Sequence, residues 1–235
     1  GLVYLENELK GLPRGTLRCT SSNGTDQFFI NGKYANKKQM NTIQGIIQRE
    51  YDEKLQVALK KRLQILRELE KNYSSTVYNV LKEKHDIALK VPEKFDFYKD
   101  TTDFFWATNN ATTGRMDVVV YTFPYEDENT FTAEYLLAKR DSVMKENLPG
   151  AFPGSYMATE TRFGVGYSAI TLHDKYCGVM RGLWKMQGDM MGGPFVSHIR
   201  LDEANNRVVV AEAFVYAPET SKRNYIRRME ASLFT

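Results

Sequence analysis

The sequence predicts an α+β protein: an N-terminal β-hairpin or meander with a long helix, then an antiparallel sheet with helices packed on one face. Three observations predict it. Short runs of β-prone residues dominate after Asp86, most clearly Arg115–Phe123 and Arg207–Tyr216. Two segments within that region repeat apolar residues at helical spacing, Phe131, Tyr135, Leu136, Val143 and Met144, and Tyr225, Ile226, Met229 and Leu233. Upstream, Ile43, Ile47, Tyr51, Leu55, Leu59 and Leu63 fall at four-residue steps among Glu, Lys, Arg and Gln, all good helix formers. Of the 235 residues, 42% are apolar and 12% aromatic, enough to build a core. No apolar run reaches the roughly 18 residues of a membrane-spanning helix.

The elements follow in order. Residues 1–11 carry Leu2, Val3, Leu5 and Leu9, a short amphipathic turn closed by Gly11 and Pro13. Gly15–Thr20 and Asp26–Ile30 are β-runs joined through Asn23-Gly24, and Asn31-Gly32 leads into Lys33-Tyr34; Asn-Gly between such runs is a strong hairpin signal. The helix over Lys37–Lys71 would span roughly 50 Å at 1.5 Å per residue. Asn72-Tyr73-Ser74-Ser75 breaks it or caps a second helix, Thr76–His85. Strands are expected at Ile87–Val91, Phe95–Tyr98, Asp103–Thr108 and Arg115–Phe123, where Pro124 stops the run. A helix follows from Asn129 and Thr130 to about Asn147, ended by Leu148-Pro149-Gly150. Tyr156–Arg162, Tyr167–His173 and Tyr176–Met186 are strands, the last two joined by Asp174-Lys175. Phe195–Leu201 and Arg207–Tyr216 form a further hairpin, and Pro218 opens a closing helix over Thr220–Leu233. The organisation expected is an arm over 1–75 and a two-layer domain over 76–235.

Net charge is +3, but residues 1–90 hold 16 basic against 10 acidic side chains, and the remainder 16 against 19. Arg18, Lys33, Lys37 and Lys38 beside Phe28, Phe29 and Tyr34 are the candidate nucleic-acid contacts. The excess is small and the basic residues alternate with acidic ones, so an ordinary solvated face is preferred. Self-association through the long helix is a further candidate.

Cys19 and Cys177 are too few for a disulfide framework or a four-cysteine zinc site. His173, Asp174 and Cys177 match no metal or nucleophile pattern and read as a turn histidine and a core cysteine. Asp117, Glu160, Asp202 and Glu212 read as outward-facing positions on a half-exposed sheet. The sequence therefore assigns no catalytic residue, no metal site and no cofactor. The candidate ligand site is the Gly188–Pro194 loop, whose glycines permit close approach to backbone N–H groups. Arg181, Trp184, Asp189, Gly192 and Gly193 are its candidate residues, with Met186, Met190 and Met191 beside them. On alternation, Arg181, Leu183 and Lys185 take one side of the strand and Trp184 and Met186 the other, core-facing side. A binding loop would border a concavity next to Trp184 or Arg181; a structural one would bury Met190 and Met191.

Several segments carry a family resemblance. They are Asp103–Asn110, Gly114–Asp117, Ala138–Met144, Gly154–Met157, Arg181–Met186, Gly188–Val196, Glu212–Pro218 and Arg228–Leu233. With these, residues from about 72 to 235 resemble a Bacteroidota envelope lipoprotein family, a domain of unknown function. Leu12-Pro13-Arg14-Gly15-Thr16-Leu17-Arg18-Cys19, Asn31-Gly32 and Tyr34-Ala35-Asn36-Lys37-Lys38 resemble an N-terminal module of gut Firmicutes proteins. The first resemblance implies a periplasmic or outer-membrane-associated, non-enzymatic binding or structural domain with a protein or small-molecule partner. The chain itself opens on Gly1-Leu2-Val3-Tyr4, with no basic leader, apolar signal region or lipid-bearing cysteine motif.

Overall fold

The computed structural model describes residues 17–22, 25–30, 33–34 and 36–235. The amphipathic turn over 1–11 and the two Asn-Gly turns, 23–24 and 31–32, lie outside the described residues. The chain divides into two compact units, Gly1–Lys61 and Arg62–Thr235. The first holds an antiparallel three-stranded sheet in the order β1 (Leu17–Ser22), β2 (Thr25–Ile30), β3 (Lys33–Tyr34). Helix α1 (Lys37–Lys71) continues from it through the unit boundary. Its last turns belong with the second unit. Arg62 stands 4.6 Å over the Phe234 ring and 3.6 Å from Glu230, and Glu70 pairs with Lys90 at 2.9 Å.

In the second unit, α2 (Ser75–His85) starts where Ser74 Oγ accepts from the Val77 N–H and donates to the Phe95 carbonyl. Asp86, at φ 57°, ends it in the left-handed conformation. The expected strand Ile87–Val91 does not form. Leu89 and Val91 bury their side chains, but the segment joins no ladder; its Val91 carbonyl takes the Ser74 N–H instead. Apolar content there serves burial rather than pairing.

Eight strands make one antiparallel sheet: β4 (Asp96–Asp100), β5 (Phe104–Thr108), β6 (Arg115–Pro124), β7 (Tyr156–Thr159), β8 (Gly166–Leu172), β9 (Lys175–Gln187), β10 (Gly192–Asp202) and β11 (Arg207–Tyr216). The order is β4-β5-β6-β11-β10-β9-β7, with β8 also on β9. The β8–β9 turn falls one residue earlier than expected, on His173 (φ 51°) and Asp174 (φ 60°). A two-residue hairpin turn of this kind needs positive φ at both centres, which His and Asp tolerate better than most residues.

The α+β class holds, and the helices occupy both faces of the sheet rather than one. On the first face Phe105, Val118 and Val120 pack with Val77 and Leu81 of α2 and with Met229 of α4 (Arg223–Ser232). On the second, Phe104, Val119 and Tyr121 pack with Leu136 and Met144 of α3 (Ala133–Asn147). Phe104–Ala107 and Met116–Tyr121 are buried without a break, so each strand has two apolar faces and each face needs a cover. This also corrects the reading of Asp117 and Glu212 as outward-facing: both are wholly buried among the second-face residues.

Arg140 of α3 anchors that second layer. Its side chain is 1% exposed, and Nε and Nη2 reach the two oxygens of Glu212, itself fully buried on β11, at 2.8 and 2.7 Å. Ser197 Oγ donates to Glu212 Oε2 at 2.7 Å, and Arg140 Nη1 donates to Thr159 Oγ1 at 2.8 Å. Thr159 in turn gives its hydroxyl and its N–H to Asp141 Oδ1. The guanidinium also lies 3.9 Å from the Phe195 ring centroid. Burial alone would lower the pKa of Arg140, but the Glu212 carboxylate outweighs it and drives the pKa above the ordinary arginine value. Removing one partner strands a buried charge. Arg140→Met is therefore expected to lose about 3–5 kcal/mol of stability, and Arg140→Met with Glu212→Leu to regain at least half of it. Urea unfolding of the single and double variants measures both.

Candidate functional site

Helices cover the central strands on both faces, and concavities lie at the ends of the sheet. At one end, where β5, β6 and β11 meet the close of β9, lies a cavity of about 160 Å3. Its walls are Trp106, Trp184, Met157, Met186, Phe214 and Tyr216, and Arg115 and Asp117 are its only charged groups. Both tryptophans of the chain line it.

The two tryptophan walls are each fixed by an indole hydrogen bond. Trp184, 2% exposed, donates its indole N–H to the Val215 carbonyl at 3.3 Å and meets Phe214 edge-on at 5.6 Å between centroids. Trp106 donates to Asp117 Oδ1 at 3.0 Å, and Arg115 clamps the same carboxylate through Nε and Nη2 at 2.9–3.1 Å. Burial raises the Asp117 pKa against the pull of Arg115 and Trp106. The carboxylate is spent on holding Arg115 and an indole, which leaves an apolar concavity with a locally neutralised edge.

The five loop candidates do not converge. Trp184 and Arg181 lie on opposite sides of β9: Trp184 lines the cavity, whereas Arg181 is exposed and pairs with Glu230 of α4. Gly193 is structural. A Cβ there would stand 2.0 Å from the Val215 carbonyl oxygen and 3.1 Å from Trp184 Nε1, so only glycine lets the indole N–H cross to that carbonyl. A Cβ on Gly192 would come within 2.8 Å of the Trp184 carbonyl oxygen. Asp189 is half-buried, and its carboxylate accepts the Met190 N–H. Met190 is fully exposed, while Met191 lines the cavity. A concavity beside Trp184 is present, then, but Met191, Arg115 and Asp117 border it rather than Asp189 and the glycines. In the N-terminal arm, Lys37 and Lys38 are exposed at the start of α1, whose first turn holds no acidic residue; Arg18 and Lys33 lie on β1 and β3.

Two further carboxylates, Glu160 and Asp202, are engaged within the fold. Glu160 bonds to Arg162, which holds its carboxyl at about 2. Asp202 is held below its usual value: Asn205 and Arg207 outweigh the opposing effect of burial. Burial pushes the Cys177 thiol up, against a reactive role. Among the described residues no three His, Cys, Asp or Glu side chains come together as a metal site. No helix among them is long and apolar enough to cross a membrane.

His198, 2% exposed on β10, shares Nδ1 with the Leu233 carbonyl at 3.1 Å and packs edge-on to Phe234 at 4.7 Å. Its Nε2 is buried without a hydrogen bond. Burial lowers its pKa to about 4, against the pull of nearby Glu230. The unfolded chain takes up this proton near the ordinary histidine value of about 6.5, so stability falls as pH drops from about 6.5 to about 4, by at most about 1.4 kcal/mol per pH unit. Urea midpoints at pH 7 and pH 5 should therefore differ more for the native chain than for His198→Gln; equal losses would remove His198 as the cause.

A comparison with curated proteins gives no match. Two solved structures show a distant likeness. A single-site mutant of the protein Mog1 is 10% identical with a TM-score of 0.37, covering 61% of this chain and 81% of its own. The Saccharomyces cerevisiae Ran-binding protein Mog1p is also 10% identical at 0.37, covering 62% and 82%. A likeness at this level carries no argument. Residues 74–235, well over half of the chain, match the domain of unknown function DUF4837, and the chain belongs to that family.

Proposed function

We propose that this chain is a non-catalytic binding domain of the cell envelope that takes a compact, neutral apolar group into the Trp106–Trp184 cavity. The cavity itself carries the reading. Its volume, about 160 Å3, matches the apolar hollow of about 150 Å3 that is known to stay dry and admit benzene. Its walls are held in place before any ligand arrives, which lowers the ordering cost of binding. Asp117 neutralises Arg115 at its edge, so a neutral group is favoured over an anion. The buried carboxylates Asp117 and Glu212 are both clamped by arginines, and His198 and Cys177 are buried, which supports binding over catalysis. The envelope compartment is supported by the resemblance of residues 72–235 to envelope lipoproteins.

Two indole N–H resonances report on the site directly, since the chain has two tryptophans. On titration with toluene both should shift saturably, and Ala151→Phe, at the exposed mouth, should abolish the shift while the fold persists. Resonances that stay fixed, or that move equally in Ala151→Phe, would sink the reading.

Self-association through α1 is a second part of the proposal. Tyr51, Leu55, Leu59 and Leu63 repeat along the helix and are exposed. Sedimentation velocity should find a concentration-dependent dimer that Leu55→Glu with Leu59→Glu dissociates; a monomer at all concentrations would reject it.

A further inference from the structure

At the opposite end of the sheet from the Trp184 cavity, the segment that follows β6, the start of β9 and the end of β10 frame a second concavity of about 400 Å3. Three aromatic rings line it. Phe131 and Tyr176 stand at 89° with centroids 5.5 Å apart, and Tyr125 is inclined to Phe131 by 50° at 6.1 Å. Glu128 and Glu203 lie on the rim, with Lys175 the single cation among the lining residues.

The rings are placed firmly. Phe131 closes a 3-10 turn whose start is capped reciprocally by Asp127 and Thr130. The Tyr167 hydroxyl donates to the Phe131 carbonyl at 3.0 Å and shares a 2.8 Å hydrogen bond with the Tyr176 hydroxyl, tying two of the three rings to one point. Tyr176 is nonetheless 49% exposed.

Several other aromatic rings of the chain carry one of its own cations over a face. Lys139 lies over Phe123 and Tyr135, Lys145 over Tyr156, Lys90 over Tyr73, and Arg62 over Phe234. No such contact involves Tyr125, Phe131 or Tyr176 among the described residues. The rings differ in tilt around the hollow, so a bound group can meet more than one of them, and two carboxylates against one lysine give the lining a net negative charge.

The geometry points to a binding site for a small organic cation, specifically a methylated ammonium group, held by Tyr125, Phe131 and Tyr176 with Glu128 and Glu203 supplying the counter-charge. Methylation matters because a primary ammonium is strongly hydrated and must give up that water to meet a ring, whereas a methylated one presents an apolar cationic surface. The site shares no residue with the Trp184 cavity, and it stands whether or not that cavity binds.

Choline is the probe, followed through the aromatic ring resonances of the full chain, with 3,3-dimethylbutan-1-ol as its neutral isostere. Choline should bind saturably and about tenfold more tightly than the isostere, the margin a cation over aromatic faces supplies. Tyr176→Leu should remove that margin, Glu128→Gln with Glu203→Gln should weaken choline alone, and Lys175→Gln should tighten it. All four positions are partly or fully exposed, so circular dichroism can verify that the variants keep the fold. Equal affinity for choline and its isostere would show an apolar hollow only and overturn the proposal. So would the absence of saturable choline binding, or a Lys175→Gln variant that binds more weakly.

Discussion

A guanidinium sealed between a helix and a sheet must have its charge answered on the spot, and the Arg140–Glu212 pair is the constraint on which the second layer turns. Two parallel hydrogen bonds fix the orientation of α3 over β11, and Ser197 opposite Glu212 fixes β10 against β11. Thr159 and Asp141 extend the same network to β7 at the far edge. Because side chains alternate between faces, a one-residue slip of β11 would carry Glu212 to the other face and leave Arg140 alone in the core. An apolar layer of the same volume would pack as well, but it would not penalise a slipped register so heavily.

The Trp184 end of the sheet shows how a second local requirement shapes a surface. The indole N–H needs an acceptor once the ring is buried, and the acceptor it takes is on β11, beyond β10. Gly193 is the residue between them. The absence of a side chain there opens the path, so Gly193, one of the glycines that suggest a ligand's approach, lets the protein's own ring cross. The cavity is what remains beside that crossing, bounded by Trp106, which likewise spends its N–H on Asp117.

Much of this was legible in the sequence, and where it was not the reasons are specific. The class, the three helices of the second unit and most strands follow from periodicity and Gly/Pro punctuation. Trp184 and Met186 take the core side of β9 that alternation assigns them. The two-sided burial was also written there, in the unbroken runs Phe104–Ala107 and Val118–Tyr121, which one covered face does not need. Arg140 had a readable signal too: it sits four residues from Leu136 and from Met144, on the apolar stripe of its helix. Glu212 falls between Val210 and Phe214 on the core-facing register of β11, and Asp117 precedes Val119 and Tyr121 on that of β6. A polar residue at a core-facing position is a demand for a partner. What no spacing could supply was the partner, since Arg140 and Glu212 are 72 residues apart. The Tyr125–Phe131–Tyr176 cluster was hidden for the same reason, its members joining only when strand ends from separate hairpins meet.

The distribution of charge then separates structure from surface. Inside the fold, each buried carboxylate or guanidinium is matched at hydrogen-bond distance: Glu212 by Arg140, Asp117 by Arg115. Near the surface, lysines lie along rings and cover apolar area while their ammonium groups stay wet, as Lys139 does over Phe123 and Tyr135. Both habits consume charge locally and leave little field for a ligand to feel. The Tyr125–Phe131–Tyr176 end departs from both: among the described residues no cation lies over its rings, and two lining carboxylates stand against Lys175. An uncompensated field at a concave, partly apolar site acts on cations before contact and rewards them on arrival. The two ends of this sheet are therefore chemically distinct: one a neutral hollow walled by hydrogen-bonded indoles, the other an electronegative ring of aromatics.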